Sequence, residues 1–115
     1  MSRDWLILIQ DMKGFCEKIQ GYADGVSREE FAHHGMMYDA TVRNIELLGE
    51  AARQLPDDVR SLSARIEWAK IIAVRNILIH AYFGIDDDIL WDIVQNKIGP
   101  LSRDLHALEC ELAKE

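Results

Sequence analysis

Proline is nearly missing from this chain, with two among 115 residues, and glycine is sparse at seven. So little of either argues against a loop-rich or disordered chain, and no segment reads as low complexity. Cysteine is as scarce. Cys16 and Cys110 cannot build a disulfide framework, and no Cys/His spacing reads as a zinc site. Long hydrophobic runs are also missing: Trp5 to Ile9 and Ile71 to Val74 are far too short to span a membrane. The first of these runs is too short for a signal-peptide core and lacks a small-residue cleavage site. Excess positive charge is lacking too, since the net charge is −7. No global field therefore attracts a phosphate backbone. These absences predict a soluble, cytoplasmic protein with no membrane segment, folded as a single domain over residues 1–115.

The imbalance of charge is uneven. From Phe83 onward three basic residues face eight acidic ones, whereas from Val26 to Tyr82 the count is seven against eight. A phosphate-binding site, if present, belongs in the middle of the chain.

What the sequence has in quantity is helical periodicity. Trp5, Ile9, Met12, Cys16 and Ile19, with Leu8 and Phe15 beside them, fall three and four apart on one face. Gly21, Asp24 and Gly25 end that helix, and Ser27 with Glu30 three residues later forms a capping box for the next. This second stretch runs to Leu55, bends near Gly35, and points Met37, Ala40, Thr41, Ile45, Leu48 and Ala52 inward. Gly49 lowers helix propensity there, which suits a close helix approach. A turn at Leu55-Pro56-Asp57-Asp58 leads to a third long helix from Ile66 to Phe83, ended near Gly84. Asp86, Asp87 or Asp88 caps a fourth helix, and Gly99-Pro100 interrupts the pattern before Leu101, Leu105, Leu108 and Leu112 restore it. The expectation is an all-α, four- to five-helix up-and-down bundle with short loops.

One segment departs from simple amphipathicity: Ala73-Val74-Arg75-Asn76-Ile77-Leu78-Ile79-His80-Ala81-Tyr82. If it is helical throughout, Arg75 and Tyr82 share a stripe, and His80 lies roughly 140° from Arg75. Taken singly, each has an ordinary structural reading. Arg75 can be a snorkelling or ion-paired side chain, His80 a hydrogen-bonded structural histidine, and Tyr82 a core aromatic with its hydroxyl at the rim. Together they offer a fork for phosphate oxygens and a group that exchanges protons near neutrality. The run Asp86-Asp87-Asp88 reads as capping and solubilising rather than as a two-metal site. His33-His34 reads as a solvated helix start. Trp68 and Trp91 read as packing residues, while Arg43, Arg53, Arg60, Arg65 and Lys70 are candidates for phosphate-backbone contacts, though each sits among carboxylates.

The pattern R-x-x-x-x-H-x-Y, filled by Arg75, His80 and Tyr82 with Asn76 after the arginine, resembles the HEPN superfamily and within it the HepT-type toxins. Asn44-Ile45-Glu46-Leu47-Leu48-Gly49-Glu50-Ala51-Ala52 resembles the family's central-helix signature, and Trp68, Tyr82-Phe83-Gly84-Ile85-Asp86 and Leu90-Trp91 fit it as well. The resemblance covers most of the chain from Ser27 to Leu105. It implies a homodimeric endoribonuclease that needs no metal or other cofactor. RNA supplies its own 2′-hydroxyl as nucleophile, and Arg75, Asn76 and His80 from both chains line one cleft. Read from the residues alone, Glu50 is either a supporting carboxylate that pairs with Arg75 or orients His80, or an ordinary surface carboxylate. The resemblance also implies the toxin of a toxin–antitoxin pair, whose MntA-like nucleotidyltransferase partner adenylylates Tyr82 and so silences it. A structured RNA such as tRNA suits so acidic a chain better than bulk message. Two other classes stay open: a non-catalytic nucleotide- or nucleic-acid-binding subunit of a nucleotidyltransferase complex, and a structural helical dimer with no ligand.

Overall fold

The computed structural model describes residues 3–80 and 84–114, and the side chains of all of these but Arg3 and His80. Three long helices carry the fold. α1 (Arg3–Ala23) lies between α3 (Gly35–Gln54) and α8 (Ile98–Ala113) and packs on both. The face expected of α1 is the face it buries: Ile9, Met12, Cys16 and Ile19 are fully enclosed, and Trp5, Leu8 and Phe15 pack at its edges. From the facing helices, Ile45, Leu48 and Ala52 of α3 and Leu105, Leu108 and Leu112 of α8 complete the core. Burying an aliphatic side chain of this size contributes about 1.5–3 kcal/mol. The Lys13 ammonium, 2.7 Å from the Glu109 carboxylate, clips α1 to α8 at the rim.

The short elements are set by their caps. Ser27 Oγ accepts from the Glu30 amide and starts α2 (Arg28–His33). The bend expected near Gly35 falls at His34, whose ring Nδ1 accepts from the Met37 amide and caps α3. After α4 (Asp57–Arg60), the Trp68 indole N–H donates to the carbonyls of Arg60 and Ser63 and fixes the turn between them.

The expected third long helix, Ile66 to Phe83, is not continuous. It begins at Trp68 as α5 (Trp68–Ile72), breaks at Ala73 (φ −88°, ψ 6°), resumes as α6 (Val74–Leu78) and then leaves helical geometry. Ile79–His80 forms β1, paired antiparallel with β2 (Gly84–Ile85), Ile79 opposite Ile85 and His80 opposite Gly84. Gly84 has φ +74°, a left-handed conformation that favours glycine. The Asp86 amide donates to the Leu78 carbonyl at 2.7 Å and ties the base of this ladder to the end of α6.

Of the three aspartates that follow, Asp86 is the cap of α7 (Asp87–Asp92), accepting from the amides of Asp88 and Ile89. Asp87 accepts from the Tyr38 hydroxyl, and Asp88 pairs with Arg28, so the run also holds α7 against α2 and α3. Burial and the Asp87 bond both push the Tyr38 phenol well above its ordinary pKa. The interruption foreseen at Gly99-Pro100 appears one turn earlier, as a π turn (Ile93–Lys97) between α7 and α8. Pro100 itself sits in the first turn of α8, which continues directly from the π turn, so its missing N–H leaves one backbone bond unmade there. The wider π turn, with the Ile98 amide bonded to the Ile93 carbonyl, gives the ring room where an α turn would crowd it. The fold is all-α apart from one short ladder. No helix among the described residues is long and apolar enough to cross a membrane.

Candidate active site

Gly49 positions the site. It is buried on α3, and a Cβ built there would stand 2.8 Å from the Ile71 carbonyl oxygen and 3.3 Å from a Val74 methyl. The close approach foreseen at Gly49 is therefore made, and it seats α5 and α6 directly on α3. With α6 anchored through Val74 (8% exposed) and Leu78 (1% exposed), the residues between them turn outward.

Those outward residues are Arg75, Asn76 and Ile77. Arg75 is exposed, not wedged into a helix seam, so no desolvation of its charge has to be offset. Among the described residues it makes no ion pair and no side-chain hydrogen bond, which leaves all five guanidinium N–H donors available. Glu50 follows Gly49 on α3 and is exposed; it forms no ion pair with Arg75. Ile77 and Ile79 are 39% and 42% exposed, so two large aliphatic side chains flank the polar pair.

His80 does not continue the helix of Arg75. Its backbone lies in β1 opposite Gly84, so the 140° separation expected on one continuous helix does not apply. Because the ladder turns the chain straight back toward α7, His80 sits at the end of a short hairpin rooted in α6. Tyr82, the residue singled out for modification, lies outside the described residues. Trp68 and Trp91 behave as packing residues: Trp68 pins the turn before α5, and Trp91 stacks at a tilt on Phe31, ring centroids 5.4 Å apart.

This arrangement joins an exposed guanidinium, an exposed amide and a histidine-bearing hairpin on one segment, with apolar surface beside it. Comparison with known proteins gives the segment its context. A family model described as Ribonuclease HepT-like matches residues 12–108. The chain belongs to that family. Its site segment, from Arg75 through Gly84, falls wholly inside the matched region, and the resemblance to HepT-type HEPN proteins is borne out over residues 12–108.

Curated relatives agree. The chain is 30% identical over 104 residues to "Putative RNase MJ1380" of Methanocaldococcus jannaschii, covering 90% of this chain and 95% of that one. It is 32% identical over 101 residues to "Probable ribonuclease HepT" of Thermococcus cleftensis, covering 88% and 92%. A third relative, "Putative RNase TTE0752" of Caldanaerobacter subterraneus subsp. tengcongensis, is 33% identical over 88 residues, covering 76% and 79%. No solved structure gives a significant match. At the level of the family, this HepT-like protein is thus a HEPN protein with ribonuclease relatives.

Proposed function

We propose that this HepT-like protein is a metal-independent endoribonuclease acting as the toxin of a toxin–antitoxin pair, with Arg75 and His80 as its catalytic residues. The observation that carries the reading is the state of Arg75: exposed, free of ion pairs among the described residues, and five residues before His80. An arginine left in this condition is a ready receptor for a phosphate, because its planar fork matches two phosphate oxygens. Family membership supports RNA as the substrate class. A structured RNA such as tRNA is the preferred target, because a chain of net charge −7 needs a fold-specific fit in place of a general field.

In the reaction, His80 takes the proton of the ribose 2′-hydroxyl, and the 2′-oxygen attacks the adjacent phosphorus. Arg75 neutralises the charge gained by the phosphorane. The bond to the 5′-oxygen breaks, and that oxygen leaves with a proton from a second histidine. Products carry a 2′,3′-cyclic phosphate and a free 5′-hydroxyl. Histidine is suited to both proton transfers because its ordinary pKa lies near 6.5.

The second histidine is that of another copy. Homodimerisation along the Arg75 face would cover Ile79 and place two Arg75, Asn76 and His80 sets in one cleft. Glu50, exposed on the adjoining helix, is close in sequence to the α3–α6 contact and serves as a supporting carboxylate within that cleft.

Silencing fits the same segment. The hydroxyl of Tyr82 attacks the α-phosphorus of ATP bound to an MntA-like nucleotidyltransferase, a phosphodiester to AMP forms, and pyrophosphate leaves while the phenolic proton passes to a base. The added phosphate then competes for Arg75 with RNA.

The test is to induce the wild-type chain and His80→Ala separately in cells, with soluble expression matched, and follow growth and RNA integrity. Arrest and RNA cleavage by the wild type alone supports the enzyme. A folded, unmodified wild type that leaves RNA intact overturns it in favour of a non-catalytic subunit of a nucleotidyltransferase complex.

A further inference from the structure

Across α6 from Arg75 lies a groove of about 360 Å³, walled by α5 and α6 on one side and by α7, the π turn and α8 on the other. The volume falls in the range of small-ligand sites. Its interior is aliphatic, with Ile45, Leu48, Ile71, Val74, Ile77 and Ile93. Polar groups converge on it from the wall opposite α6: Asp92 at the end of α7, Asn96 and Lys97 on the π turn, and Asp104 on α8. A π turn commonly marks a functional site. Here it carries two of these four polar groups.

We propose that this groove receives a guanine base from the RNA strand whose phosphate is held at Arg75, and that Asp92 reads the base; the inference rests on the ribonuclease reading.

Three observations support it. Val74 and Ile77 line the groove, while Arg75 and Asn76, which lie between them on α6, are exposed. α6 therefore stands between a phosphate on Arg75 and a base in the groove, a helix diameter of about 10–12 Å that the strand spans with more than one nucleotide. Bases splayed from a single strand are read on their Watson–Crick edges. The interior suits the faces of a base, which pack on aliphatic surface when no aromatic ring is offered.

The second observation concerns Asp92 and Asn96. The Asn96 amide donates to Asp92 Oδ1 at 2.8 Å, which locks both side chains across the junction of α7 and the π turn. A carboxylate offers about four lone-pair sites, so most of its accepting capacity remains for a ligand. Guanine alone presents two adjacent N–H donors on that edge, N1–H and the N2 amine. Adenine and cytosine pair one donor with an acceptor, and uracil flanks its single donor with two acceptors. A carboxylate would repel those acceptors. Sites built to bond a particular donor set discriminate far more sharply than apolar pockets do.

The third is the charge at the groove mouth. Lys70 bonds Glu67 at 2.7 Å, and Lys97 from the opposite wall adds to the field that holds the Glu67 carboxyl below its usual range. Lys97 thus stands as a second ammonium group near the Glu67–Lys70 pair at the opening, a contact for a sugar–phosphate backbone on an acidic protein.

The experiment follows isoleucine methyl resonances of the full chain during titration with guanosine, adenosine, cytidine or uridine monophosphate. Guanosine monophosphate should move the Ile77 and Ile93 methyls and saturate at a concentration at least about tenfold lower than the others. Asp92→Asn should abolish that preference while keeping a dispersed spectrum, because an amide accepts on one oxygen and repels N–H donors on its other face. Unmoved groove methyls, equal response to all four nucleotides, or an undiminished guanine preference in Asp92→Asn would overturn the proposal. So would methyl shifts produced by an amphipathic peptide and by no nucleotide. RNA cleavage by the wild type is scored separately. Cleavage without preference for guanine sinks the groove assignment and leaves the ribonuclease standing; guanine binding without cleavage does the reverse.

Discussion

Gly49 and Ile71 touch backbone to backbone: a side-chain carbon at position 49 would meet the Ile71 carbonyl oxygen at 2.8 Å. That contact fixes how deeply α5 and α6 sit on α3, and with them the elevation of Arg75. Gly49→Ala gains about 1 kcal/mol of helix propensity but must push a rigid carbonyl aside. Overpacking of this kind costs about 1–3 kcal/mol. We expect a net loss of stability in urea unfolding, larger for Gly49→Val. RNA cleavage should fall further than stability predicts, because the displaced element carries the site. A Gly49→Ala chain more stable than wild type would refute the contact.

The Arg75 side chain is exposed and makes no hydrogen bond or ion pair among the described residues, so its removal should be nearly silent in stability. Arg75→Ala should unfold within about 0.5 kcal/mol of wild type, as surface substitutions generally do. Cleavage should drop about 100- to 1000-fold, the scale on which one lost donor to a charged transition state is felt. Arg75→Lys keeps the charge but loses the two-pronged fit, and we expect it to recover little of the rate. Single-turnover cleavage beside thermal unfolding checks both halves.

How much of this was legible before the structure depends on what sets each element. The inner faces of α1, α3 and α8 follow directly from apolar spacing, because burying one stripe is what makes a long helix stable in water. The Ser27 cap and the Gly49 approach were legible for a similar reason: each is a local feature with few physical explanations. The break at Ala73 and the hairpin at His80 were not. Nothing in Ile-Ile-Ala-Val-Arg-Asn-Ile-Leu-Ile-His forbids a helix, and a helix through His80 is the reading that periodicity favours. What overrides it lies elsewhere, in the Leu78–Asp86 hydrogen bond and in Gly84 with φ +74°. His34 as a cap was equally hidden, because histidine is outside the usual set of capping residues. Of the site, residue types were legible and their relative placement was not. Arg75, Asn76 and Glu50 are exposed as a ligand-facing group must be, yet Arg75 and His80 stand on different kinds of element.

The Lys13–Glu109 bridge makes a prediction in acid. The Lys13 hydrogen bond holds the Glu109 carboxyl below its usual range, outweighing the desolvation that opposes it. A carboxyl lowered in the folded state adds stability that is complete above its unfolded pKa, about 4.3, and lost as pH falls through the lowered value. The Nζ–Oε1 distance is 2.7 Å and both side chains are four-fifths buried. Lys13→Met should therefore cost about 1 kcal/mol at pH 7. The gap between variant and wild type should close below about pH 4. Urea midpoints measured from pH 7 down to pH 3 would show it, and a gap independent of pH would assign the loss to packing alone.

The two thiols should behave oppositely. Cys16 is completely buried between α1 and its neighbours, and burial, with a smaller contribution from Glu17, pushes its pKa up to about 12. Cys110 is exposed on α8, its sulfur 3.8 Å from His106 Nε2. An aromatic disulfide reagent should therefore titrate one thiol per native chain promptly and the other only on unfolding. The buried thiol also sets a slope in alkali. Unfolding brings Cys16 back to a pKa near 8.5, so between pH 8.5 and 12 the folded state binds the extra proton and stability falls as pH rises. The limiting slope is about 1.4 kcal/mol per pH unit. Cys16→Ala should begin less stable at pH 7, through the lost volume, and then lose less than wild type between pH 8.5 and 9.5. Parallel decline of the two proteins over that interval would show that Cys16 is already ionised or exposed when folded, which its packing against α3 and α8 forbids.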